Sequence, residues 1–292
     1  MKRRTKANEN EKRVVFKKFD SVTELSNFIK NTPQTKEGKK YSASLKGSKS
    51  FCGTENFDEA ENLLIYGDSE NAENVRKNIE QITSDLKGKN KTFKGAKTLS
   101  YSLKSSAVGF LPIVPKYLAG EPENMLTLHT VQKQTTKVLN VCVYIGALCD
   151  VTAEELNMCL CRILCAVFAL EKDGFRVNLF AVSTASFKRG KDGVFGYSVK
   201  IKDSGQKIDL LKIAYSLCNP SSLRRHGFAV FERLDGSKLK VELGFGYGGT
   251  ESHDDAKDTL THQGFRNFAL VGFYTCKDKN VGEISDFIKS QF

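Results

Sequence analysis

The spacing of apolar and polar positions divides the chain into stretches of different period. Residues 1–13, MKRRTKANENEKR, hold too little apolar surface to order themselves and are expected to form a disordered basic arm. From Val14, VVFKKFDSVTELSNFIKN predicts a short strand and then a helix capped by Asp20 or Ser21, with Leu25, Phe28 and Ile29 on one face. Phe57, Ala60, Leu63 and Leu64 have helical spacing and end at Gly67; Ala72, Val75, Ile79 and Ile82 mark a further helix. Residues 14–85 therefore read as a small, mainly helical N-terminal module.

Residues 86–123 read as a basic linker followed by a proline-rich strap. Pro112, Pro115 and Pro122 in GFLPIVPKYLAGEPENM exclude a helix and a central strand. Phe110, Leu111, Ile113, Val114, Tyr117 and Leu118 are too apolar for free solvent, so the expectation is an extended strap packed on the following domain. The other reading is an apolar peptide that docks on a partner.

Beyond the strap the period changes. KVLNVCVYIGAL is the β-branched run of a strand covered on both faces. Thr152 and Glu155 are spaced as a capping box for a helix that is apolar from Leu156 to Leu170 and stops at Gly174, before a second strand, FRVNLFAVSTASF. Strand, helix and strand at this spacing form a βαβ unit, so the sheet there is expected to be parallel. A strand in GVFGYSVKIKD, a helix in KIDLLKIAYSLC and a helix opened by Asn219 and Pro220 follow. Strands in SKLKVELGFGYGG and FRNFALVGFYT and a closing helix, VGEISDFIKSQF, complete the pattern. The fold class is α/β, with the helical module joined to a three-layer doubly wound domain over residues 124–292.

Charge adds a functional direction. The chain of 292 residues has a formal net charge of +11, and its first fifty residues hold fourteen Lys or Arg against five acids. Glu55 to Asp85 reverses the sign with nine acids against two bases, and Leu86 to Lys104 carries six lysines and no acid. Such clustering suits an anionic partner, either nucleic acid or an acidic protein. Arg3, Arg4, Lys87, Lys89, Lys91, Lys94 and Lys97 are the candidate phosphate contacts, with Phe93 and Tyr101 as stacking groups. Arg224 and Arg225 join them as nucleic-acid-binding candidates; the alternative is that they pair with Glu232 and other acids to orient their helix. No helix-turn-helix, zinc-finger or RNP signature supports base specificity.

The remaining polar groups offer less. Eight cysteines without a secretory leader point to a reducing compartment, and Cys161 and Cys165, four apart, read as buried small side chains more readily than as metal ligands. Glycine-rich Gly244–Gly249 reads as a twisted strand end, not a phosphate cradle. His253, Asp254, Asp255, Asp258 and His262 form a polar, glycine-flanked stretch, read as a loop, that would serve a metal-dependent enzyme such as a nuclease if they converged. Met158 to Leu170 is too short to span a bilayer, and Arg162 interrupts it, so no membrane partner is expected.

The order of FCGTENFDEAENLLIYGD, GFLPIVPKYLAGEPENM, the βαβ unit and NPSSLRRHGFAVFER resembles a family of tailed-bacteriophage proteins, and the second part of the chain looks like a von Willebrand factor type A domain. That resemblance implies a non-enzymatic protein acting in the cytoplasm of the bacterial host, with a homo-oligomer and a virion or assembly role left open. Working metal sites of such domains begin Asp-x-Ser-x-Ser at the end of the first strand. Here the stretch reads YIGALCD, Tyr144 to Asp150, so neither a metal nor another cofactor is expected.

Overall fold

The computed structural model describes residues 13–86, 97–134, 137–186, 193–206, 209–237 and 249–292. Along the chain run β1 (Val14–Phe19), α1 (Val22–Asn31), α2 (Lys36–Tyr41), α3 (Ala43–Lys46), α4 (Lys49–Cys52), α5 (Phe57–Tyr66) and α6 (Ser69–Leu86). Then come β2 (Lys97–Ser106), β3 (Leu111–Pro112), α7 (Val114–Leu118), β4 (Met125–Gln134), β5 (Val138–Tyr144), α8 (Ala153–Lys172), β6 (Arg176–Ser186) and β7 (Val194–Lys202). The last part holds α9 (Leu210–Cys218), a π-helix (Ser222–Gly227), α10 (Phe228–Phe231), β8 (Gly249–Thr250), α11 (His253–His262), β9 (Phe268–Gly272), α12 (Phe273–Cys276) and α13 (Val281–Ser290).

Contacts gather these elements into two units, residues 1–90 with 138–172 and 176–292, and residues 91–137 with 173–175. In the larger unit the sheet order is β1-β7-β6-β5-β9, with β8 also on β6. The βαβ expectation holds, since β5 pairs β6 in parallel with Val141 opposite Leu179. Thr152 and Glu155 close the capping box at the start of α8 through Oε2 of Glu155 and Oγ1 of Thr152. Gly174, at φ 93°, ends that segment in a conformation side chains resist. Leu156, Leu160, Ile163, Leu164 and Val167 of α8 and Val141, Val143, Val177 and Leu179 of the strands are buried, which explains their continuous apolar runs. β7 turns back antiparallel to β6, so the sheet is mixed.

Three expectations are corrected. Residues 14–85 are not a separate module: β1 is an edge strand of the main sheet, parallel to β7 with Phe16 opposite Gly196. Cys165 of α8 donates to the Val75 carbonyl at 3.8 Å, and Asn157 donates to Asn71 at 2.5 Å, so α6 packs on α8. The proline segment contains a helix after all. Pro115 falls in the first turn of α7, where its missing N–H costs nothing, and Pro112 sits in the two-residue strand β3. Finally, His253–His262 is a helix capped by Ser252, whose Oγ accepts from the Asp255 amide, with Ala256 and Leu260 buried one turn apart.

The smaller unit is an antiparallel sheet in the order β2-β4-β3, with β2 and β4 in register from Lys97 opposite Gln134 to Ser106 opposite Met125. The proline segment belongs to this sheet as β3 and α7, not to an extended strap. The strand expected in SKLKVELGFGYGG falls mostly outside the described residues, which resume at Gly249.

Candidate functional site

The π-helix concentrates the chain's buried polar chemistry. All six residues of Ser-Leu-Arg-Arg-His-Gly are buried, and π-helical turns are rare and recur at functional sites. Arg224, only 1% exposed, donates to the carbonyls of Phe51 at 2.7 Å and Val151 at 2.7 Å, and its guanidinium stacks 4.1 Å from the Phe51 ring. Burial pulls its pKa below the usual arginine value. Arg225 is fully buried and bonds the carbonyls of Ser44 at 3.0 Å, Leu45 at 3.2 Å, Gly47 at 2.8 Å, Thr54 at 2.9 Å and Glu55 at 2.9 Å. α3 and α4 are single turns, and the planar fork of Arg225 satisfies the Ser44 and Leu45 carbonyls of α3 together with those of Gly47, Thr54 and Glu55 in the flanking turns, while Arg224 takes that of Phe51 in α4.

The same cluster holds two carboxylates. Glu232, fully buried, accepts from the Ser44 amide at 2.9 Å, the Ser44 hydroxyl at 2.7 Å and Gln34 Nε2 at 2.7 Å. Glu61 accepts from His226 Nε2 at 3.0 Å, Ser26 at 2.7 Å and Lys30 at 2.6 Å, while His226 Nδ1 meets the Tyr215 hydroxyl at 2.8 Å. These bonds, His226 first, hold Glu61 down to about 2 against the opposing effect of burial. Burial lowers the pKa of His226, and burial raises that of Tyr215 well above its ordinary value. Hydroxyl, imidazole and carboxylate thus stand in a relay. The adjoining cavity, lined by Leu25, Ile145, Tyr197, Ser222 and His226, is about 20 Å³, room for one water molecule and not for an organic substrate. Arg224 and Arg225 are therefore internal ties and not phosphate contacts. The two arginines do orient their helix, as the structural alternative expected, but through main-chain carbonyls instead of acids; the ion pair at Glu232 is made by Arg233, 3.8 Å away.

In the mixed sheet, β5 has β6 on one side and β9 on the other, both parallel to it. Tyr144 donates to the Thr184 carbonyl at 2.9 Å and accepts from the Glu251 amide at 3.2 Å. The Leu148 amide donates to Tyr274 Oη at 2.9 Å. The following stretch presents Gly146, Ala147, Leu148, Cys149 and Asp150, a donor set with one carboxylate where a hard cation takes six or more oxygens. Among the described residues no group of three or more His, Cys, Asp or Glu side chains is placed to hold a metal.

The histidine and aspartate stretch does not converge. His253 and His262 begin and end α11, about 13 Å apart along its axis at 1.5 Å per residue. His253 Nε2 meets the Leu270 carbonyl at 3.1 Å, Asp255 accepts from the capping Ser252 at 2.6 Å, and the Asp254 side chain is 99% exposed. Seven of the eight cysteines are buried and all are free thiols; Cys161 donates to Asn157 at 3.4 Å, and burial pushes Cys165 up to about 12.

Of the basic candidates, Arg3, Arg4, Lys87, Lys89, Lys91 and Lys94 lie outside the described residues, and Lys97 opens β2. The carbonyl acceptors of the buried arginines escaped sequence reasoning, although their burial left a signal: Leu223, Phe228, Ala229, Val230 and Phe231 surround them with apolar residues, so a helix there has no polar face to spare.

The chain matches, over residues 4–267, the family described as a domain of unknown function, DUF7192, and it belongs to that family. Neither the curated proteins nor the solved structures contain a match.

Proposed function

We propose that the chain is a non-enzymatic binding protein whose lysine-rich segments hold an anionic partner, nucleic acid gripped without base specificity or an acidic protein surface. The observation that carries this reading is the placement of positive charge. Residues 91–137, the bulk of the smaller unit, hold seven lysines against two glutamates, whereas the two arginines of the π-helix are spent internally. A metal-dependent nuclease finds no support in side chains set at opposite ends of α11.

Each phosphate neutralised releases condensed counterions, so five contacts from Lys87, Lys89, Lys91, Lys94 and Lys97 give a slope of log K against log salt of about −4. Binding to labelled single-stranded DNA, duplex DNA and RNA across a salt series tests this, beside a chain lacking residues 1–13 and one with the five lysines changed to alanine. A steep slope that flattens in both variants is expected. No binding of any of the three at low salt sinks the nucleic-acid reading and leaves the acidic protein.

The finer reading of the main sheet as von Willebrand factor A-like is supported by its strand order. Counted from β5, β7-β6-β5-β9 is 3-2-1-4, the core order of a doubly wound sheet, with an antiparallel strand of the kind such sheets admit. Action in the bacterial host, or in a virion, rests on the resemblance of the segments quoted above to tailed-bacteriophage proteins. Among the described residues no helix is long and apolar enough to cross a membrane.

A further inference from the structure

From Leu103 to Thr127 of the smaller unit no side chain is buried. Leu103, Val108, Phe110, Leu111, Tyr117 and Leu118 are each more than half exposed. In the sheet β2-β4-β3, β2 is an edge along all ten of its residues. A small antiparallel ribbon is marginal in water by itself, and an exposed apolar patch of this kind marks an interaction surface.

The charges around the patch select its occupant. Between residues 103 and 127 Lys104 and Lys116 are balanced by Glu121 and Glu123, and Lys116 is paired with Glu121 at 3.3 Å, although the whole chain carries +11. A neutral apolar tip gives an anionic lipid surface or a nucleic acid nothing to recognise. An identical neutral tip is self-complementary and meets no like charge. We propose that residues 103–118 form a self-association surface whose occupant is a second copy of this chain, related by a two-fold axis so that each sheet covers the apolar side chains of the other.

Light scattering of the full chain during gel filtration should give twice its 32.5 kDa mass. Phe110→Glu and Leu118→Glu change exposed positions and set like charges across the axis, so each should weaken the dimer by about tenfold or more while the far-ultraviolet circular dichroism stays unchanged. Phe110→Leu should keep the dimer. A monomer up to roughly 0.1 mM chain, or a dimer indifferent to both glutamates, overturns the proposal. So does a monomer that co-sediments with anionic vesicles, which would assign the tip to a lipid surface. None of these results bears on the salt-dependent grip, which uses the lysines of residues 87–97.

Discussion

Replacing Arg225 by alanine removes a guanidinium that bonds five carbonyls and, at 3.3 Å, the Thr54 hydroxyl. The buried carbonyls of Ser44 and Thr54 would lose their cation, and each buried acceptor left unpaired costs about 1–3 kcal/mol. Buried Glu232 keeps its amide and hydroxyl donors but loses a positive charge from the same cluster. Relaxation of the single-turn helices recovers part of this. A net loss of about 3–5 kcal/mol remains, as for removing one partner of a buried ionic cluster. At about 2–4 °C per kcal/mol for a chain of this size, Tm should fall by roughly 6–20 °C. Urea titration followed by circular dichroism measures the first quantity, and a thermal scan the second. Arg225→Lys should recover little, because an ammonium cannot span the fork of acceptors. If Arg225→Ala moves stability by no more than the ~0.5 kcal/mol typical of surface positions, or lowers nucleic-acid affinity in a chain of unchanged stability, the internal role assigned to Arg225 is wrong.

Two further predictions concern the same unit. Glu61 is held down to about 2, so its stabilising effect is complete above the ordinary carboxylate pKa and is lost as the pH falls towards 2; His226, whose pKa is lowered by burial, resists protonation in the folded state and so loses stability as the pH drops below the ordinary histidine value. Both act in one direction, and the urea midpoint should decline from pH 7 down to pH 2; Glu61→Gln removes the part of that decline below the ordinary carboxylate value, so its curve should be flatter there, and equal slopes for the two chains between pH 4 and pH 2 would refute the link. At Gly272 an added Cβ would stand 2.7 Å from the Tyr144 carbonyl oxygen, so Gly272→Ala should cost about 1–3 kcal/mol in the same titration, and a neutral result would show that β5 and β9 tolerate separation.

The parts of the fold legible in the sequence are those in which one local pattern carries the whole signal. The βαβ unit announced itself through the β-branched run at Val138–Tyr144, the Thr152 and Glu155 cap and the apolar length of α8. α11 was misread because it buries only Ala256, Thr259 and Leu260; the Ser252 cap and the four-residue spacing of the two apolar residues were its signal. The direction of β7 was not legible, since a strand with both faces covered has the same composition in either sense. The sequence left Arg224 and Arg225 between a phosphate contact and a tie within the fold, and could not name their acceptors because these are main-chain carbonyls, which no residue type reveals; the nearest, for Arg225, lies 170 residues away.

The reach of Arg225 back to Ser44 spans 181 positions. During synthesis at about 5–20 residues per second, α3 and α4 emerge roughly 10–40 seconds before the two arginines that tie them down. β1 waits similarly for β7, its neighbour in the sheet among the described residues. The first ninety residues thus leave the ribosome without the surfaces that complete them, and a chain halted before Arg225 would present the unclosed turns of α3 and α4 to chaperones and proteases. Order in the N-terminal segment is conferred late, by the chain's distal half.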